Sequence, residues 1–163
     1  MTIDLTDVKV FFFKAMLQGY ARSVEKAMAY DMPGYKDIDF HEGDWRCLDR
    51  YCTTPLSDKS AGSTTIWYRS TPVWVMHYGG QYKEEVIDFL KLALRCNYEE
   101  AIFLGCRGPE WFTHQRSSLL YTNALFPGSQ HFGAFSGFES IKDTADNNRL
   151  LGYHGYMGMS LLP

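Results

Sequence analysis

Apolar residues recur at helical spacing in two segments of this 163-residue chain and at strand spacing through most of the remainder. Asp4 and Asp7 form a helix-start pattern, and Leu5, Val8, Phe12, Ala15 and Met16 then fall on one face, widened by Phe11 and Phe13. This first helix is expected to end near Gly19. Between Ala21 and Lys36, helix formers at Val24–Ala29 run into the breaker Pro33-Gly34, and no element is assigned. Short aromatic and β-branched runs follow at Ile38–His41, Trp45–Tyr51, Thr64–Tyr68 and Val73–Tyr78, which predict antiparallel strands. Tyr82, Val86, Phe89, Leu90, Ala93 and Leu94 return to helical spacing and predict a central helix over residues 81–96. After Arg107-Gly108-Pro109 the strand pattern resumes at Trp111–His114, Ser118–Asn123, Phe138–Ile141 and Leu150–Tyr153.

The order of the second half repeats that of the first. Gly62–Ile66 aligns with Gly137–Ile141 and Gly79 aligns with Gly155, the two offsets differing by one residue. An internal repeat of residues 38–79 and 112–155 follows, with Ile66 equivalent to Ile141 and Trp74 to Leu150. The predicted architecture is α+β. Two related antiparallel four-strand units form a curved sheet or open barrel, with the N-terminal and central helices packed on it, in a single domain spanning residues 1–163.

The stretch WYRSTPVWVMHYGG, residues 67–80, concentrates the aromatic surplus. Strand parity puts Trp74, Met76 and Tyr78 on one face and Val73, Val75 and His77 on the other. The first set is expected to face the interior. In the aligned repeat His154 takes the place of Tyr78, so it and His77 point to opposite faces and cannot share a metal, which would need three or four convergent ligands. Candidate ligand-binding residues are Trp67, Trp74, Tyr78 and His154, because small-molecule sites are mostly apolar with a few placed polar groups. Asp49 and Glu139 join them, since each is an acid inside a strand pattern, where an inward carboxylate must be paired or carry a shifted pKa. Arg107 offers a guanidinium to an anion or simply sits in a loop before a strand. Glu42-Gly43-Asp44 has the form of a hairpin turn rather than of a catalytic carboxylate pair.

Composition narrows the classes. With 16 basic and 19 acidic residues, no run of either sign and a formal charge of −3, the chain carries no electrostatic footprint for nucleic acid or an anionic membrane. No segment approaches the length of apolar sequence that spans a bilayer, and the N-terminus has acids where a secretory signal needs bases, so a mature, cytoplasmic protein is expected. Cys47, Cys52, Cys96 and Cys106 form no CxxC pair and match no zinc spacing, which predicts ordinary reduced thiols and no metal. No phosphate loop, dinucleotide fingerprint or nucleophile elbow occurs in the sequence, and no cofactor is expected.

Taken in order, Phe40-His41-Glu42-Gly43-Asp44-Trp45, Ile66-Trp67-Tyr68, Pro72-Val73-Trp74, Tyr78-Gly79, Phe135–Ile141 and Tyr153-His154-Gly155 resemble the bacterial and archaeal domains of unknown function catalogued as DUF5680. The same order includes the Tyr20-Ala21 step, Pro33-Gly34 and Arg107-Gly108-Pro109, so the resemblance spans nearly the whole chain. Two positions depart from the family's pattern: Gly155-Tyr156 stands where a Gly-Gly pair is expected, and His114-Gln115-Arg116 stands where a second Glu-Gly-Asp would fall. The resemblance implies no catalytic residues. Some members carry a helix-turn-helix domain ahead of this one, which implies a sensing or regulatory role.

Three functional readings follow in order. The first is a module that binds or senses a small molecule, supported by more aromatic residues than one small core needs. Second is a protein-interaction module, or homodimer, docking through the apolar tail Tyr156–Leu162. Third is an enzyme using Asp49, Glu139 and His154 for acid–base work.

Overall fold

A computed structural model describes residues 3–19, 27–115 and 117–163. Helix α1, Leu5–Gln18, starts on a reciprocal cap. The Asp4 carboxylate accepts the Thr6 and Asp7 N–H groups at 2.8 and 3.0 Å, and the Asp7 carboxylate accepts the Asp4 N–H at 3.3 Å. The helix ends at Gly19, whose N–H donates to the Ala15 carbonyl. Part of the segment without a sequence assignment, residues 21–26, lies outside the described residues. The rest contains the short strand β1, Ala27–Met28.

Nine longer elements complete the sheet and add its second helix. They are β2 (Tyr35–Glu42), β3 (Trp45–Thr54), β4 (Ser57–Tyr68), β5 (Thr71–Tyr82), α2 (Ile87–Glu99), β6 (Trp111–Thr113), β7 (Leu119–His131), β8 (Ala134–Asp143) and β9 (Arg149–Ser160). Among the described residues the nine strands make one antiparallel sheet, in the order β1-β2-β3-β4-β5-β9-β8-β7-β6, open at β1 and β6. Consecutive strands are neighbours except at the centre, where β5 pairs with β9 and Gly80 faces His154.

Alternation along the strands selects the core face. Ile66, Trp74, Met76, Tyr121, Ile141 and Tyr156 join Val8, Phe12 and Met16 of α1 and Leu90, Ala93 and Leu94 of α2 in one apolar cluster. Trp74 is wholly buried at its centre. Its ring stacks on Phe132 at 5.1 Å and on Phe135 at 5.8 Å, with Phe12 at 5.2 Å, and its indole N–H donates to the Phe132 carbonyl at 3.0 Å. Glu42-Gly43-Asp44 turns the β2–β3 hairpin with Gly43 at positive φ, and its two acids pair outward with Lys14 and Arg69.

Four expectations need correction. The central helix does not begin at residue 81: Gln81 and Tyr82 are the last residues of β5, Glu84–Val86 form a 3-10 turn, and α2 starts at Ile87. Tyr82 satisfies both periods, as it continues the inward series Trp74, Met76, Tyr78 while also standing one helical turn before Val86. No side chain caps α2, so the sequence lacks the usual start signal.

The aligned repeat also fails in register. Ile66 faces Trp74 across β4 and β5, whereas Ile141 faces Gly152 across β8 and β9, so Trp74 is matched by Gly152 rather than by Leu150. The register shifts between Ile141 and Lys142, which leaves Leu151 out of the ladder and Leu150 exposed. The tail Tyr156–Leu162 is not a free segment, because Tyr156–Ser160 lie in β9 between β5 and β8, and Tyr156 is buried. Finally, Trp74 lies in the core and not in a ligand pocket.

Replacing Trp74 by Ala should destabilise the fold by about 3–5 kcal/mol, read by urea denaturation, since both a large buried ring and a buried N–H bond are lost.

Candidate functional site

Glu139 is the residue around which the site is built. The β8 register directs it into the interior between Asn123 of β7 and His154 of β9, and it is 0% exposed. A carboxylate there is tolerated only if it is paired and hydrogen-bonded. Arg107 supplies the charge, donating to Glu139 Oε1 in a short ion pair, and the Tyr121 hydroxyl donates to Oε2 at 2.6 Å.

The backbone that presents Arg107 is itself held by side chains. Residues 104–108 follow α2 and turn through positive φ at Gly105 and Cys106. Asn123 Nδ2 donates to the Leu104 and Gly108 carbonyls at 2.9 and 2.8 Å, Tyr98 to the Cys106 carbonyl at 3.0 Å, and Asn97 to the Arg107 carbonyl at 3.0 Å. The Gly108 N–H donates to the Tyr121 hydroxyl, so one phenol serves both the loop and the carboxylate. Burial pushes the Glu139 carboxyl up, while the Arg107 charge and hydrogen bond, His154 and Tyr121 pull it down, and the balance leaves it below the usual glutamate range.

Asp49 on β3 is a second interior acid. It accepts the Thr64 hydroxyl at 3.0 Å and the Tyr78 hydroxyl at 2.7 Å. The Tyr78 ring connects the two acids, with the Arg107 guanidinium 5.8 Å from its centroid and the His154 ring stacked at 5.5 Å. Tyr82 meets His154 edge-on at 4.8 Å. Gly62 and Gly80 make this packing feasible: a Cβ on Gly62 would stand 2.7 Å from the Tyr78 hydroxyl, and one on Gly80 would stand 2.0 Å from the Tyr153 carbonyl and 2.8 Å from the His154 ring.

His154 is 6% exposed and binds Ser60 Oγ through Nε2 at 3.2 Å. Its Nδ1 lies 3.9 Å from Glu139, too far for a hydrogen bond. Burial first, and then the Arg107 charge, lower its pKa to about 4 against the opposing pull of Glu139, so the ring is neutral at pH 7. Among the described residues, His154 Nδ1 and Arg107 Nε are buried without a hydrogen-bond partner. Both residues line an interior cavity of about 40 Å³, together with Asp49, Thr64, Tyr78 and Tyr98. That space suits water rather than a metabolite. Beyond it lies a surface cleft of about 590 Å³, and Tyr51 and His154 border both.

Of the residues chosen from sequence, Asp49, Tyr78, Glu139 and His154 come together here. Trp74 does not, since four residues of strand separate it from Tyr78 by roughly 13 Å along the same face. Trp67 lies outside the group as well: it neighbours the buried Ile66 on β4, so it points to the other face, where the Arg46 guanidinium sits 5.3 Å from its ring. Sequence reasoning left Arg107 open between an anion-binding guanidinium and a plain loop residue, and passed over Tyr121, Asn123 and Ser60. The available signal was the lone cation in AIFLGCRGP, residues 101–109, because an isolated charge in an apolar run needs a counter-charge and two strand acids were in view. Among the described residues, no group of three or more His, Cys, Asp or Glu side chains is placed to hold a metal, and no helix is long and apolar enough to cross a membrane.

Fold and site together define an α+β domain, two helices on an open antiparallel sheet, with a sealed ion pair beneath a surface cleft. The profile of the family described as a domain of unknown function, DUF5680, matches residues 56–158, and the chain belongs to that family. The match takes in Ser60, Tyr78, Arg107, Tyr121, Glu139 and His154 and begins after Asp49. No curated protein and no solved structure matches the chain.

The buried neutral His154 makes stability depend on pH in a defined window. Its folded pKa of about 4 lies below the ordinary 6.5, so the unfolded chain takes up a proton first as pH falls. Stability should therefore be at full value above pH 6.5 and decline toward pH 4, by on the order of 3 kcal/mol, with the Glu139 contribution lost only at lower pH. Denaturation curves measured across this range should show that slope in the wild type and a flatter one in His154→Asn.

Proposed function

We propose that the chain is a small-molecule-binding module whose ligand occupies the cleft above Ser60 and His154. One observation carries this reading. The cleft and the interior cavity share His154, and behind it Arg107 and His154 each keep a buried nitrogen that the described protein groups do not satisfy. A buried nitrogen of this kind costs about 1–3 kcal/mol unless a water or a ligand meets it. The cleft volume falls in the range of small-molecule sites, roughly 300–1,000 Å³. A ligand that takes over the Ser60 contact to His154 would gain access to that interior.

The acid–base reading has weaker support. Glu139 is sealed and doubly hydrogen-bonded, Asp49 accepts two hydroxyls from the interior, and of the three only His154 borders the cleft.

Thermal-shift screening against a metabolite library tests the proposal: a compound at a hundred times its dissociation constant should add about 2.7 kcal/mol of stability. That shift should survive Trp67→Ala and disappear in Ser60→Ala and His154→Asn. A flat wild-type response across the library counts against the module.

A second reading has its own observation. Phe126, Phe138, Met157 and Met159 are all exposed on β7, β8 and β9, and strand alternation puts Met157 and Met159 opposite the buried Tyr156 and Gly158. An apolar row of that kind favours self-association. Light scattering at high micromolar concentration should then give a dimer mass for the wild type and a monomer mass for Phe138→Lys with Met157→Lys; a monomeric wild type removes this reading.

A further inference from the structure

We infer that the ligand of the cleft is a neutral, polyhydroxylated molecule of the saccharide or polyol class, a conclusion that rests on the cleft being a binding site at all. The walls carry hydroxyls rather than a charge clamp. Thr53, Thr54, Ser57 and Ser60 come from the β3–β4 hairpin, and the buried Tyr51 and Tyr82 border it. Lys36 and Lys59 are offset by Asp58, Glu84 and Asp88, and Asp88 lies 3.7 Å from Lys91. Lys36 Nζ is 6.0 Å from the centroid of the Tyr51 ring. A phosphate or carboxylate would call for an arginine fork or clustered cations, and a polyamine for clustered acids. No arginine lines the cleft, and its two lysines and three acids leave neither sign dominant. The floor adds no net attraction for an anion, because Arg107 is neutralised by Glu139.

Apolar ligands are disfavoured by the same walls, whose aliphatic contribution is Ile87. What the cleft offers instead is a set of groups that both donate and accept. Thr54 Oγ1 accepts the Leu56 N–H at 3.2 Å and Ser57 Oγ accepts the Lys59 N–H at 3.4 Å, which leaves each hydroxyl proton free to be donated. Sugar hydroxyls have the same dual character. That requirement is met at the exposed hydroxyls of the hairpin between β3 and β4.

Saturation-transfer NMR on the full chain decides the point with three named groups of probes: glucose, maltose and myo-inositol; inorganic phosphate and citrate; spermidine and choline. The expected result is transfer to a member of the first group with shifts of the Tyr51, Tyr82 and His154 resonances, unchanged at high salt because no charge is screened. Thr53→Val with Ser57→Ala, both on exposed positions, should weaken that binding about tenfold while leaving the protein folded. Binding confined to the second or third group, and lost in high salt, overturns the ligand class but leaves the binding site standing. Perturbation of the cleft resonances by a library compound outside the first group does the same. If neither the probes nor the library perturb those resonances, both the class and the site fall.

Discussion

Everything in the interior is arranged around the need to bury Glu139 without leaving its charge uncompensated. Its ion pair with Arg107 closes the contact between the loop after α2 and the middle of the sheet, two regions 32 positions apart in sequence. Such a pair is weak as a source of net stability, since desolvation offsets the Coulombic gain, but breaking it by removing one partner leaves a buried charge. Its effect is therefore on geometry. Tyr121, Asn123, Asn97 and Tyr98 all spend their polar groups holding residues 104–108 so that one guanidinium reaches one carboxylate. A loop held by side chains from two elements has little freedom to present Arg107 anywhere else.

Tyr78 extends that constraint to the second acid. Its hydroxyl belongs to Asp49 and its ring to Arg107 and His154, so the β3 and β8 acids are joined through one aromatic side chain on the central strand pair. The histidine stands in the wall between buried polar groups and open cleft. Its low pKa is a consequence of that position: the Arg107 charge and the loss of solvent outweigh the nearby Glu139.

Period-2 alternation made most of the strands and their inward face legible in the sequence, and the Asp4–Asp7 cap marked α1. Interior acids were legible too, because Asp49 and Glu139 interrupt apolar strand patterns. The origin of α2 was hidden by Tyr82, a residue that fits a strand and a helix equally well, next to a helix with no capping side chain. Register was hidden for a related reason: an irregularity between Ile141 and Lys142 passes over Leu151, so Leu150 looked equivalent to Trp74 when Gly152 holds that position. Distance along a strand has no signature in parity. Trp74 and Tyr78 therefore looked like neighbours in a site, although one belongs to the hydrophobic centre and the other to the polar cluster. Arg107 could be seen as a lone cation, but only the fold joins it to Glu139.

The central placing of β9 has a consequence for how the chain acquires its structure. Strands β2 to β5 and β6 to β8 can each form from neighbours in sequence, but β5 and β8 both present an unpaired edge until β9 inserts between them. Since β9 follows all of them in the chain, the ribosome releases the two open edges before it releases the strand that covers them. The pairing of β5 with β9 also spans a long sequence separation, which slows folding. Nascent and partly folded molecules thus expose edge strands able to pair with other chains, and productive folding is a competition between β9 and a neighbour's edge.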